Sequence, residues 1–458
     1  MRLRRPTRSA GLAAIAAVTV LALAGLARPG TAPDTAATGS IPPTEEAPPG
    51  PDRQAWTGVE WGSLPDPFPD GDPTPIRIDG LTAGNGLVVG WGRVDAAGRN
   101  QFNEMGAVFV SADGERWRSI ALDDGVGGPD TSEPYGVTIG PLGLLAYGGV
   151  CCSVEERAIW ASRDGLTWTR LALEGDLDIR SSRMARVVGL PTGWVAAGSS
   201  GDRAAIWTSD DGGTWRAVDA VAADLGRGVV SDAALLPDGR LIAVGTIDDP
   251  AATHDGAVWL SNDGVEWRRV AAADPTLTGP DETELWQILP FASGLFLVGN
   301  HGSHEDRVSC EGLLGAVASI DDAPPATTAI SCGWGREHHW LSADASSWRR
   351  LAPRDPPPGQ PAAPGIRPIE FRLLASAGPG LVLLGEDSQP PDGDSALWAS
   401  ADGATWVPID VIGRPRPPSP TWGFVVVGTR VVTVGEAGGA AGVGPFRPVL
   451  WVGRVVQP

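Results

Sequence analysis

The sequence predicts an all-β chain: a seven-bladed β-propeller whose last blade is closed by an N-terminal strand, residues 55–60. Three observations predict it. One hairpin phrase recurs six times at a spacing of about 50 residues, a second short-strand phrase precedes each copy, and the C-terminal unit stops one strand short. Self-similarity at a fixed period marks a repeat architecture, and four short strands per period with almost no helical pattern mark a propeller.

The elements follow in chain order. Arg2, Arg4, Arg5 and Arg8 form a basic head before an apolar run from Ala10 to Ala27, with small residues at Ala22, Ala24, Gly25 and Ala27. Residues 1–27 are therefore expected to be an export segment, either a cleaved signal peptide or a retained membrane anchor. No Cys lies near this junction, which argues against a lipid anchor. Residues 28–54 are a Pro/Ala/Thr-rich tether with little to bury, expected to be disordered. The propeller is expected to occupy 55–458 as one domain.

The hairpin phrase reads AVFVSADGERWRSI at 107, AIWASRDGLTWTRL at 158 and AIWTSDDGGTWRAV at 205. AVWLSNDGVEWRRV follows at 257, HHWLSADASSWRRL at 338 and ALWASADGATWVPI at 396. An apolar strand ends at Ser, Asp-Gly turns the chain, and a second strand starts at Trp. The Asp accepts from the turn's amides, and the Gly allows positive φ. The fifth copy carries Ala345 in place of Gly, which is expected to distort its turn. Upstream lie GLVVG at 86, GLLAYG at 143, GWVAAG at 193, GRLIAVG at 239, GLFLVG at 294 and GLVLLG at 380, each a short strand. The C-terminal unit, TWGFVVVG–RVVTVG–PVLWVGRV, has no fourth strand, and Trp56-x-x-Val59 is taken to supply it. Closure would remove two open sheet edges.

Composition bounds the function. Apolar residues make up 42%, with 62 Gly, 42 Pro and 19 Trp, as expected of a large core joined by many tight turns. Net charge is −20 and every basic residue apart from His is Arg. Nucleic acid and anionic lipid both need a basic patch, so neither is expected as a partner.

The hairpin phrases resemble the Asp-box, or BNR, repeat of sialidases, sortilin-type receptors and a photosystem II assembly factor. The turn here is one residue shorter than the usual box. The resemblance implies a structural role for Asp113, Asp164, Asp211, Asp263, Asp344 and Asp402, on the face opposite the functional one. It also implies what a sialidase would need: three Arg for a carboxylate, a late Tyr–Glu nucleophile pair and an Asp acid/base. The only tyrosines are Tyr135 and Tyr147, both in the second blade, so nothing fills the late Tyr position.

Candidate ligand-binding residues sit near the starts of the innermost strands: Arg77, Arg183, Arg186 and Arg372, with Glu284 and Trp286. Glu133, Asp232 and Glu370 complete a mixed-charge lining, and paired carboxylates can run glycoside hydrolysis. A second cluster is His254, in the loop between the second and third strands of the fourth blade, with His301, His304 and His338 at the edges of the same loop in the fifth, a candidate set of zinc ligands with Asp255, Glu305 and Asp306 nearby. His339 falls where other copies carry Val, Ile or Leu, a core position. Export favours oxidised thiols, so Cys310–Cys332 and the adjacent Cys151–Cys152 are expected disulfides. Pro-rich segments 352–365 and 411–420 would frame the same face. The expectation is an exported, monomeric, non-catalytic propeller without a cofactor, secreted or held by its N-terminal segment, that binds an extracytoplasmic protein or glycan. The alternative is a hydrolase, either sialidase-like or metal-dependent at the histidines.

Overall fold

The computed structural model describes residues 56–64, 67–95, 104–122, 131–151, 156–178, 180–248, 254–272, 274–303, 337–351, 371–377, 380–386, 395–412, 421–437 and 447–456. The export segment, the tether, His304, Glu305, Asp306, Cys152, Cys310, Cys332, Glu370, the segment 352–365 and most of 411–420 lie outside these residues. Among the described residues all regular structure is β.

The first four-stranded sheet runs β2 (Pro75–Gly84), β3 (Leu87–Asp95), β4 (Glu104–Ser111) and β5 (Arg118–Ala121). The second runs β6 (Thr131–Gly140), β7 (Gly143–Cys151), β8 (Glu156–Ser162) and β9 (Thr169–Arg170). The third runs β11 (Ser182–Leu190), β12 (Gly193–Ser200), β13 (Arg203–Ser209) and β14 (Thr214–Ala217), with the short β10 (Glu174–Gly175) added parallel to β14. The fourth runs β15 (Gly228–Leu235), β16 (Leu241–Asp248), β17 (His254–Ser261) and β18 (Trp267–Val270). The fifth runs β19 (Glu282–Phe291), β20 (Gly294–Gly302), β21 (Glu337–Ser342) and β22 (Arg349–Arg350). An eight-stranded sheet holds the rest: β23 (Phe371–Ala377), β24 (Gly380–Glu386), β25 (Ser395–Ser400) and β26 (Val407–Ile412), then β1 (Gly58–Leu64), β29 (Arg447–Val456), β28 (Arg430–Ala437) and β27 (Thr421–Val427).

Adjacent strands within each unit are antiparallel, so each sheet is a meander. First strand packs on first strand, β2 to β6 to β11 to β15 to β19 to β23 to β27, and β27 returns to β2. This closed circuit of sheets is a β-propeller architecture. Apolar burial follows it, because each core cluster straddles two consecutive units. Trp160 and Val108 share one, Trp259 and Ile206 another, and Val432 of the C-terminal unit joins Phe109 of the first.

The turns show why the phrase repeats. In every copy the Asp Oδ1 accepts the Ser hydroxyl at 3.1–3.3 Å and the amide two residues on at 2.8–2.9 Å. The turn glycines take φ of 74–80° and tuck against the preceding sheet, so that a Cβ on Gly264 would stand 2.9 Å from Val195 Cγ2. The indoles of Trp117, Trp168, Trp215 and Trp267 donate to the glycine carbonyl at 2.7–2.9 Å. Ala345 adopts the same left-handed conformation, φ 67°, so the fifth turn is loosened rather than rebuilt. Asp344 holds the Ser347 amide at 3.3 Å, and buried Trp348 Nε1 has no partner among the described residues.

β1 closes the C-terminal unit, but not with the register read from the sequence. The strand is Gly58–Leu64, not 55–60, and pairs antiparallel with β29 from Gly58↔Val456 to Leu64↔Leu450. In the hairpin units the residue two beyond the hairpin Trp faces the aromatic residue of the third strand, as Arg269 faces Trp259. Ser63 faces Trp451, so the residue at the equivalent Trp position is Trp61, not Trp56. Trp61-x-x-Leu64 meets the same pattern five residues later, and without a hairpin no local turn fixes the offset. Gly453 stands where the hairpin units have Ser, and β29 runs straight on beside Trp61.

Candidate functional site

The first strands carry the site, and one backbone feature organises them. Each has a β-bulge at the same register, just beyond the fifth paired rung from the turn in six units and the fourth in the unit of β15: Ile78/Gly80, Pro134/Gly136, Met184/Arg186, Val230/Asp232, Leu285/Gln287, Phe371/Leu373 and Thr421/Gly423. The extra residue is Asp79, Tyr135, Ala185, Ser231, Trp286, Arg372 or Trp422. A bulge re-aims a side chain out of the pleat. Tyr135 and Trp286 accordingly stand 45% and 39% exposed, although Pro134, Gly136 and Leu285 beside them are buried.

The residue after the bulge decides how neighbouring units are stitched. Where it is Gly80 or Gly136, the second strand's Trp91 or Tyr147 ring occupies the space a Cβ would need. Where it is Arg186 or Asp232, the facing residues are the smaller Ala197 and Val244. A polar chain results across four units. The Tyr147 hydroxyl bonds Arg186, Arg186 Nε lies 3.4 Å from Asp232 Oδ1, and Asp232 Oδ2 accepts the Ile288 amide at 3.0 Å. The Ala233 amide donates to Asp232 Oδ1 at 2.9 Å. Burial pushes the Asp232 carboxyl up, against the opposing pull of Arg186 and the two amides. Burial also pushes the Tyr147 phenol up, and the Asp232 charge raises Arg186 further.

The other predicted lining residues are partly tied. Arg77 pairs with the bulge residue Asp79, while Arg93 bridges Glu104 at 2.8 Å and Glu133 of the next unit at 2.5 Å. Arg183 is exposed and Glu284 half-buried on β19. Arg372 holds the bulge position of β23, but its side chain is outside the described residues. Sequence reasoning reached Trp286 and Arg372 without the bulge they share. It passed over Tyr135 as a ligand contact, although a Gly directly after Asp79, Tyr135 and Trp422, inside a strand pattern, is a bulge signal.

Three of the four candidate histidines are described, each at a strand end: His301 is next to last in β20, His338 second in β21, and His254, expected in the loop, is the first residue of β17. The His301 and His338 rings lie edge to face at 5.7 Å, with His338 also 6.2 Å from Trp340. His301 Nδ1 is 2.9 Å from the Thr283 hydroxyl, and burial followed by Arg350 lowers its pKa against the pull of Asp281. His254 opens β17 with its Nδ1 3.0 Å from Asp248. Among the described residues no three His, Cys, Asp or Glu side chains converge as a metal site. His339 is buried, bonded to Glu337 at 2.6 Å and stacked on Phe296 at 5.0 Å, a core position as expected. Cys151 ends β7, and its side chain is outside the described residues.

The six turn aspartates are spent within their own hairpins. The amide donated by the residue three or two positions on is the leading cause that lowers Asp113, Asp164, Asp211, Asp263 and Asp344. At Asp402 burial is the largest influence and opposes the lowering, but the Thr405 and Ala404 amides outweigh it.

No protein-family model matches the sequence, and no curated protein matches it. Solved structures do. A sialidase from Trypanosoma rangeli is similar at 12% identity and TM-score 0.40, over 88% of this chain and 58% of its own. The β-propeller domain of the Trilobed protease from Pyrococcus furiosus is similar at 8% identity and TM-score 0.42, over 78% and 90%. A puromycin-hydrolyzing peptidase from Mycobacterium tuberculosis is similar at 15% identity and TM-score 0.45, over 83% and 53%. The match thus spans little more than half the length of the sialidase and the peptidase.

Proposed function

We propose that this chain is an exported, seven-bladed Asp-box propeller that binds a glycan or protein ligand, without catalysis, through the axial face opposite its hairpin turns. The circuit of first strands supports seven blades, with the closing strand β1 completing the last. The observation that carries the binding reading is exposure. Tyr135 and Trp286 present large rings to solvent from the innermost strands, beside Arg77, Arg183 and Glu284, where a purely structural ring would bury apolar groups or carry small polar ones. Export, and secretion or anchoring by residues 1–27, follows from the basic head and apolar run.

One observation favours hydrolysis, the raised pKa of Asp232. Its oxygens are nevertheless engaged by Arg186 and by the Ala233 and Ile288 amides, so it acts as a staple between blades. The test is binding of the exported protein to immobilised glycans and to extracellular proteins, with Arg77→Ala and Arg183→Ala alongside. Binding weakened about tenfold by these substitutions is expected. Turnover of a glycoside that Asp232→Asn abolishes would overturn the reading.

A further inference from the structure

We infer that the bulged residue of each first strand is the ligand-contact residue of its blade, and that the ligand is a saccharide chain. This rests on the axial binding site proposed above and specifies what that site reads. Three observations lead to it.

The first is register. All the bulges fall opposite the equivalent second-strand residue: Trp91, Tyr147, Ala197, Val244, Val298, Leu384 and Val434. One backbone device is therefore kept while the residue at it changes, from Asp79 to Tyr135, Ala185, Ser231 and Trp286, with Arg372 and Trp422 at the same backbone position in the last two units. A bulge gives up ladder hydrogen bonds and re-aims the inserted side chain, so beside the stitching done by the residue after it, display of the inserted residue is the use that the repetition points to.

The second is burial. Tyr135, Ala185 and Trp286 are exposed and Asp79 and Ser231 half-buried, while Ile78, Pro134, Met184, Val230 and Leu285 just before them are buried. Core packing is thus handled by the flanking positions. The displayed residues are free of it.

The third is chemistry. Among the described side chains, aromatic rings hold the bulge in the second and fifth blades, separated by Ala185 and Ser231 and preceded by Asp79 with its partner Arg77. A protein partner would want such rings gathered at one desolvated centre with a polar rim around it. Isolated rings set among guanidinium and carboxylate groups suit a sugar, whose C–H faces stack on an aromatic ring and whose hydroxyls bond to planar charged groups.

The experiment uses the exported protein on an array of defined oligosaccharides: neutral, uronate-containing and sialylated. Trp286→Ala and Tyr135→Ala are each expected to weaken the bound saccharide about tenfold. Trp286→Phe should retain most of the affinity, and Ala185→Tyr, which adds a ring at a vacant position, should strengthen it. Because these side chains are exposed, the thermal midpoint should stay unchanged, which separates lost contact from lost fold. Saccharide binding that survives both alanine variants, yet fails with Arg77→Ala, would overturn the inference and leave the axial site standing. A ligand that proves to be a protein, or no saccharide bound at all, overturns it too. Binding indifferent to every axial substitution would remove the axial site along with it.

Discussion

Ala345 occupies a left-handed position that five other turns give to glycine, and its methyl group is fully buried in the core shared with Ile242 of the fourth sheet. Three contributions decide what Ala345→Gly would do. Relief of the left-handed backbone is worth about 1–2 kcal/mol, and a restored indole bond from Trp348 to the residue-345 carbonyl about 1 kcal/mol. Loss of one buried methyl costs about 1 kcal/mol. The variant is expected to be about 1–2 kcal/mol more stable by denaturant unfolding, and an unchanged or lowered midpoint would show that packing against the neighbouring blade outweighs strain. At this scale the sequence was informative about the turn itself, since Ser, Asp and Gly each have one bonding role. It was uninformative about which substitutions the turn tolerates, because Cβ strain and packing oppose each other there.

The closing strand poses the question of register. Trp61 is buried and packs with Val59, Trp451 and Val431, whereas Trp56 lies before the strand and is only partly buried against the same cluster. Trp61→Ala is therefore expected to cost about 3 kcal/mol, and Trp56→Ala about 1 kcal/mol or less. Equal losses in equilibrium unfolding would contradict the pairing of Ser63 with Trp451. Pattern matching found the strand, its partner and its role, because a Trp-x-x-apolar phrase can complete only a unit that lacks one. It missed the offset because both Trp56-x-x-Val59 and Trp61-x-x-Leu64 satisfy the phrase. The bulges were missed for a related reason: side-chain alternation continues on either side of them, and only strand pairing shows the extra residue. Hence Trp286 and Arg372 were found as candidates from position, while Tyr135 was not.

Across the molecule, six hairpin carboxylates are held below the usual range, and this sets the acid behaviour. A depressed native pKa means that the unfolded chain binds protons more readily, so the stabilisation is complete above the unfolded value of about 4 and is lost as pH falls towards the native values. Asp232, raised by burial, works in the opposite direction, favouring the fold most when protonated. These six, with Asp72, Asp178 and Asp238 also lowered, outweigh Asp232, and His301 is lowered too, so the thermal midpoint is expected to ease below about pH 6.5 and to drop more steeply below about pH 4. A midpoint that held level down to pH 3 would show that the amide bonds in the turns persist with protonated carboxyls. The circuit also has a mechanical consequence. Gly58 pairs with Val456, so the chain enters and leaves the folded body at one spot. Tension between the two ends would act on the β1–β29 seam at its first rung and part it pair by pair, like a zip, rather than sliding the strands past one another. The closed hoop is thereby easiest to open by hauling on its own tails.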